Sequence, residues 1–263
     1  MPSEDIASQV LARLTRPRRS PVEPHQAAWL VTGEQRELAH AGAKIAVRSW
    51  AMEPGRPRVL LVHGWESQAG AWHVLGPRLV AAGYAPVAHD APGHGASGGA
   101  GTDVRAMGQA LAAVARALGP VDAVLAHSLG SPATLYAFAS GLRVRASVHL
   151  AGPSSLLRAF ERAAGLACLD AAGARTLRER FMLATGYAPA EMELDRLADG
   201  LRHPALLLHD PEDDEVPYAE SAALAAAWPL ARLAPVVAAG HRRLPESEAV
   251  AQRIVDFLGA ARD

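Results

Sequence analysis

Short apolar runs alternate along the chain with stretches in which apolar residues recur every three or four positions. The runs contain β-branched residues and end near glycine, aspartate or histidine, which is typical of strands buried on both faces of a parallel sheet. Eight strands are predicted, two of them joined around Ala41-Gly42 within 36–51 and the others at Val59–Val62, Tyr84–His89, Val121–Ala126, Val144–Leu150, Ala205–His209 and Arg232–Val237. The periodic stretches predict helices at Trp72–Val80, Val104–Leu118, Leu129–Ala139, Ala219–Trp228 and Glu246–Leu258.

This alternation predicts an α/β fold, a mostly parallel eight-stranded sheet with helices on both faces. The exception is 154–203, which has a helical pattern and no strand. We interpret it as a short helical cap inserted at the carboxyl ends of the strands, where open α/β sheets bind ligands. The expected organisation is one core made of 36–153 and 204–263, with a polar N-terminal extension over 1–35. One domain with an insertion is favoured over two small domains at this length.

Charge and composition exclude several classes of function. The 263 residues carry 26 Lys plus Arg against 27 Asp plus Glu, so nothing suggests a nucleic-acid partner. Cys168 is the only cysteine, and no disulfide within the chain can form. The first residues lack the apolar region of a secretory signal, and no run is long enough for a membrane span. We therefore expect a cytoplasmic protein. The histidines lack metal-ligand spacing and no phosphate loop is present, so no metal and no cofactor are predicted.

The most informative motif is His127-Ser128-Leu129-Gly130, which lies between a predicted strand and a predicted helix. A serine at such a sharp turn presents its hydroxyl, and the small residues Ala126 and Gly130 let the backbone bend without collision. The alternative is a serine that caps an ordinary helix start. The backbone N–H of Leu129 would open that helix, where unpaired amides and the helix dipole favour negative charge.

A serine hydroxyl is a poor nucleophile, so the hypothesis requires a histidine base and a carboxylate that orients it. Strand Ala205–His209 runs into a turn, 210–217, that is rich in acids. Strand Arg232–Val237 runs toward Gly240-His241, which supplies the histidine. No carboxylate directly follows strand Val144–Leu150, so the acid is expected from the 210–217 turn. We predict Ser128 as nucleophile, His241 as general base and an acid from the 210–217 turn. The order serine, acid, histidine is the one that this architecture requires.

From about residue 36 onward, the chain resembles the α/β-hydrolase superfamily. Four motifs in order carry the resemblance: Val62-His63-Gly64-Trp65, Asp90-Ala91-Pro92-Gly93-His94-Gly95-Ala96-Ser97, the serine turn, and the acid loop from His209 to Pro217. The resemblance implies that the acid is Asp213, four residues before the proline of the Val-Pro pair, with Asp214 as runner-up. It also implies an oxyanion hole made by the backbone N–H groups of Leu129 and Trp65.

The predicted function is a serine hydrolase that cleaves a carboxylic ester or similar acyl bond of a small-molecule substrate through an acyl-enzyme on Ser128. Thioesterases, perhydrolases and amidases use the same triad, and sequence does not choose among them. A non-catalytic binding or regulatory protein on the same scaffold is the alternative from another class. His63 and His127 are expected to point away from the site. Apolar residues of the cap could line a pocket, but packing onto the body is favoured for most of them. The oligomeric state stays open.

Overall fold

The structure is a computed structural model and describes residues 2–261. Its eight strands are Glu34–His40 (β1), Ala43–Ser49 (β2), Arg58–Val62 (β3), Ala85–His89 (β4), Ala123–His127 (β5), Ala146–Leu150 (β6), Ala205–His209 (β7) and Ala231–Pro235 (β8). They form one sheet in the order β1-β2-β4-β3-β5-β6-β7-β8. The pairs β1–β2 and β2–β4 are antiparallel, and the pairs from β4 to β8 are parallel. The predicted mostly parallel eight-stranded sheet is confirmed.

Ten α-helices accompany the sheet within the described residues. They are Pro2–Thr15 (α1), Pro24–Leu30 (α2), Leu75–Ala81 (α3), Val104–Leu118 (α4), Gly130–Ala139 (α5), Leu156–Leu166 (α6), Ala171–Thr185 (α7), Leu194–Leu197 (α8), Tyr218–Ala227 (α9) and Glu248–Ala260 (α10). Short 3-10 helices add Ala69–Trp72, Pro189–Met192, Ala198–Gly200 and Leu244–Glu246. None of the helices in this part of the chain combines the length and apolar character that a membrane span requires.

Helix boundaries differ from the predicted ones where capping decides them. The predicted Trp72–Val80 helix is divided into a 3-10 turn and α3. The last helix begins at Glu248 rather than Glu246, because the Ser247 hydroxyl accepts a hydrogen bond from the Val250 N–H and caps it. Helix α2 was not predicted, since its seven residues carry little periodic signal. Its start fits the usual place of proline in the first helical turn.

Strand β3 shows how the sheet builds two cores. Val59 and Leu61 point into an apolar cluster with residues of α3 and α10, whereas Leu60 and Val62 point into a second cluster with residues of α4. These four side chains are at most 2% exposed. Because successive residues of a strand face opposite sides, a continuous apolar run satisfies a sheet that is covered on both faces.

A third apolar cluster joins the N-terminal helix to the helices between β6 and β7. Ala7 of α1 is buried there together with Phe160 of α6 and Phe181 of α7. The N-terminal extension therefore packs against the helical segment, a contact that the sequence did not predict. Residues 154–203 contain helices and turns with no strand, and their role as a cap stays a prediction.

Candidate active site

Ser128 lies in the sharp turn between β5 and α5. Its φ of 52° is in the left-handed region, a conformation that costs a non-glycine residue about 1–2 kcal/mol. A glycine is required at position 130 because the backbone passes close to the end of β3. A Cβ there would lie 2.6 Å from the carbonyl oxygens of Val62 and His63. The turn therefore presents the serine side chain above the carboxyl end of the sheet and demands a glycine two residues later.

The side chains of Ser128, His241 and Asp213 form one chain of hydrogen bonds. The Ser128 hydroxyl lies 2.9 Å from Nε2 of His241, as donor to that nitrogen. On the other side of the ring, Nδ1–H of His241 donates to Oδ2 of Asp213 at 2.7 Å. The His241 side chain is 5% exposed and that of Asp213 is fully buried. The structure thus brings together the three residues that the sequence analysis selected from three separate strand ends.

The acid loop distinguishes Asp213 from its neighbours. Oδ1 of Asp213 accepts the backbone N–H groups of Val216 at 2.8 Å and of Glu215 at 2.9 Å, which orients the carboxylate. Asp214, the runner-up, is exposed. Asp210 lies in the same acid-rich turn and is also buried: it is 2% exposed and accepts the Gly240 N–H at 2.7 Å. It ties the acid loop to the segment that carries His241.

A second histidine supports the carboxylate and was missed by sequence reasoning. Nε2 of His209 lies 3.3 Å from Oδ2 of Asp213 and donates to the Val216 carbonyl at 2.9 Å. Burial alone would raise the pKa of Asp213, but hydrogen bonds from His209, His241 and the Val216 N–H outweigh it and hold the pKa below its ordinary value. Asp213 is therefore ionised at neutral pH and can stabilise a protonated His241.

The two histidines that were expected to point away from the site hold its backbone in place. Nε2–H of His127 donates to the His241 carbonyl at 3.0 Å, and burial followed by the proximity of His241 lowers the pKa of His127 to about 3. Nδ1–H of His63 donates to the Gly64 carbonyl at 2.7 Å. Because the C=O and N–H of one peptide point in opposite directions, this bond sets the direction of the Trp65 N–H.

The two predicted oxyanion donors lie beside the serine. A Cβ on Gly64 would lie 2.8 Å from Cβ of Ser128 and 3.4 Å from its Oγ, so Gly64, the residue before Trp65, packs closely against the serine. Leu129 is the N-cap residue of α5. Within residues 2–261, neither the Trp65 nor the Leu129 N–H donates to another protein group. The Trp65 ring packs edge-on against His94, with ring centroids 5.2 Å apart.

Ser128 and His241 open into a cleft of about 440 Å³. The N-terminal extension forms one of its walls, with Ser20, Pro21, Glu23 and Gln26. No residue of 154–203 is among the described residues that line this cleft. The apolar residues proposed for the cap lie elsewhere: Leu156, Phe160 and Phe181 are buried in the third cluster, while Leu166 and Met182 are exposed.

Hydrogen bonds anchor that N-terminal wall to the turns around the site. The Arg19 guanidinium donates to the carbonyls of His94 at 3.0 Å, Ser97 at 2.7 Å and Gly99 at 3.1 Å, and also to that of Gly95. Arg18 forms a forked ion pair with Glu66. Since Glu66 directly follows Trp65, the extension is attached to the segment that carries one candidate oxyanion donor.

One group of potential metal ligands occurs in the described residues, and it adjoins the cleft. It consists of His25, His73 and Glu246, of which Glu246 also lines the cleft wall.

One family model and several solved structures are similar to this chain. The serine aminopeptidase S33 family model matches residues 53–162, and no curated protein matches the chain. A bacterial membrane phospholipase A described as a virulence factor has a TM-score of 0.69 at 19% identity, covering 98% of this chain and 93% of that chain.

Two further solved structures cover 86% of this chain and 98% of their own chains. Est1E from Butyrivibrio proteoclasticus has a TM-score of 0.68 at 15% identity. The thioesterase domain from the curacin biosynthetic pathway has a TM-score of 0.63 at 17% identity. The chain has the fold of these proteins, the α/β-hydrolase fold. The fold and the family match over residues 53–162 together support a function of the hydrolase type.

Proposed function

We propose that the protein is a serine hydrolase that cleaves a carboxylic ester or a similar acyl bond through an acyl-enzyme on Ser128. The observation that carries the proposal is the unbroken hydrogen-bond chain from Ser128 Oγ through the His241 ring to Asp213. A non-catalytic binding protein has no need of a strained serine, a buried imidazole and a buried carboxylate in this arrangement.

The mechanism follows from the donor and acceptor roles. Ser128 Oγ forms a bond to the substrate carbonyl carbon while its proton passes to Nε2 of His241. The N–H groups of Leu129 and Trp65 donate to the resulting oxyanion, each contributing about 2.7–4 kcal/mol of transition-state stabilisation. The bond to the leaving group breaks as His241 returns the proton to it. Water then attacks the acyl-Ser128 carbonyl by the same route and releases the acid.

The charges of the cleft favour a polar substrate over a long hydrocarbon acyl chain. Glu23, Gln26 and Gln68 line the cleft, and so do Arg242 and Glu215, which form an ion pair. Burying an apolar chain against such groups would desolvate them without replacing their hydrogen bonds. Small polar esters are the first substrates to test. The match to the serine aminopeptidase family supports including amides, and the likeness to a thioesterase domain supports including thioesters.

Kinetics of single and double variants test the proposal. Ser128→Ala and His241→Ala should each lose nearly all turnover of an activated ester, and the double variant should be little worse, because the two side chains act as one unit. Ser131, which is buried in α5 and whose Oγ lies 2.7 Å from Nδ1 of His149, offers a control outside the triad. Losses that multiply in the double variant, or turnover retained by folded Ser128→Ala, would reject the acyl-enzyme mechanism.

A further inference from the structure

Three side chains from distant parts of the chain meet beside the cleft. His25 lies in α2, His73 directly follows the 3-10 helix Ala69–Trp72, and Glu246 ends the 3-10 helix that precedes α10. One nitrogen or carboxylate oxygen from each lies within 4.8 Å of the others. A tetrahedral ion with bonds of about 2.0–2.2 Å needs ligand atoms roughly 3.4 Å apart. Small rotations of His25 and Glu246, both exposed, would reach that spacing.

The two histidines are suited to binding a metal rather than to pairing with each other. Their ring centroids are 4.4 Å apart, so protonation of both rings would place two positive charges in contact. His73 is partly buried. Its Nδ1 is buried and makes no hydrogen bond of normal geometry in the described part of the chain. Two imidazoles and a nearby carboxylate are the components of a common zinc ligand set.

We propose that His25, His73 and Glu246 bind a divalent transition-metal ion of the zinc class, with water in the fourth position. Imidazole ligands favour this class over magnesium or calcium, which prefer oxygen ligands alone. Sequence reasoning predicted no metal because it looked for ligands at short spacing on one element. Here the fold supplies them from three elements, and none of the three belongs to the triad.

A metal ion at this position would stabilise the N-terminal wall of the cleft. An ion there would link α2, which carries Gln26 of the cleft wall, to the segment between His241 and α10. It would therefore hold the N-terminal wall against the loop that follows the base. Because the ion binds the folded chain and the three ligands are far apart when the chain unfolds, binding must raise the midpoint of thermal unfolding.

Titration of chelator-treated protein with Zn²⁺, followed by calorimetry and thermal unfolding, tests the proposal. Wild type should bind one equivalent and unfold at a higher temperature with Zn²⁺. His25→Ala and Glu246→Gln should each weaken binding at least about tenfold, as loss of a ligand or its support does, and should lose the thermal shift. Co²⁺ should give the visible absorption of a four-coordinate ion in wild type and lose it in the same variants.

Two control variants separate this site from other histidines. His40→Ala, in β1 and outside the group, should bind Zn²⁺ as wild type does. His241→Ala should also retain binding, because the triad histidine is not a ligand. Circular dichroism verifies that each variant is folded. The proposal is overturned by no binding to wild type, or by binding that disappears in His241→Ala and persists in His25→Ala. None of these measurements depends on turnover, so a negative result for metal binding does not contradict the proposed hydrolase activity.

Discussion

Replacing Asp213 by asparagine exchanges one oxygen for an amide, and the structure determines which way the new group faces. The Oδ1 position accepts two backbone N–H groups, from Glu215 and Val216. The amide oxygen of the asparagine must therefore occupy that position, and its NH₂ group must face Nδ1 of His241. That contact requires Nδ1 to accept, so the ring proton moves to Nε2 and Ser128 loses its base.

An imidazole held in the wrong tautomer costs about 10⁴-fold in kcat, which corresponds to about 5.5 kcal/mol. Initial rates on an activated ester near pH 8 measure the effect, with circular dichroism as a check of folding. Asp214→Asn is the matched control, since Asp214 is exposed on the same loop, and its activity should stay within about twofold of wild type, as for most surface substitutions. More than a tenth of wild-type activity in Asp213→Asn, or a larger loss in Asp214→Asn, would refute the assignment of the acid.

Three further predictions concern the turn, the N-terminal wall and acid stability. Gly130→Ala should destabilise the fold by about 1–3 kcal/mol and abolish turnover, whereas Gly165→Ala, with open space at its Cβ, should do neither. Denaturant unfolding and rate measurements check this, and equal effects of the two substitutions would contradict the close approach at the turn. Arg19→Ala should lower kcat/KM and cost about 1 kcal/mol of stability, because four carbonyls lose a charged donor. An unchanged kcat/KM would show that the N-terminal wall does not contribute to catalysis. Six buried histidines have a lowered pKa, in each case chiefly through burial: His63, His89, His94, His127, His149 and His203. Their values fall to about 3 or 4 in the folded protein, so the unfolded chain binds more protons below about pH 6.5, and the free energy of unfolding falls as the pH decreases from there toward the folded pKa values. Urea unfolding between pH 7.5 and 5 should show that decline, and a flat profile would contradict neutral burial.

The sheet could be predicted because its signal is local. An apolar run such as Val59–Val62 identifies a strand that is covered on both faces, and the alternation of strands with helices limits the order in which they pair. The three candidate triad residues could also be predicted, because the carboxyl ends of parallel strands converge at one edge of the sheet. Choosing Asp213 over Asp214 needed the resemblance to a known family, because periodicity cannot show which carboxylate of a turn is buried.

The supporting contacts could not be predicted, because they join segments far apart in the chain through ring orientation or buried polar atoms. His209 contacts Asp213 through a side-chain direction that no spacing reveals. Asp210 resembles any loop acid until the Gly240 N–H is placed against it. The N-terminal wall rests on Arg19, whose carbonyl partners are recognisable only after the chain has folded. In each case the missing information was tertiary contact rather than local propensity.

Labelling with a fluorophosphonate probe tests the central claim most directly, because the probe reacts with a serine only when a neighbouring base removes its proton and donors stabilise the developing charge. In folded wild-type protein, the Ser128 oxygen should bond to the phosphorus of the probe and displace fluoride, so that the protein gains one phosphonyl group. Peptide mapping should locate this group on Ser128. The Ser128→Ala variant and urea-unfolded protein should gain none. An unlabelled Ser128 in folded protein, or equal labelling of the Ser128→Ala variant, would contradict an activated serine at this turn.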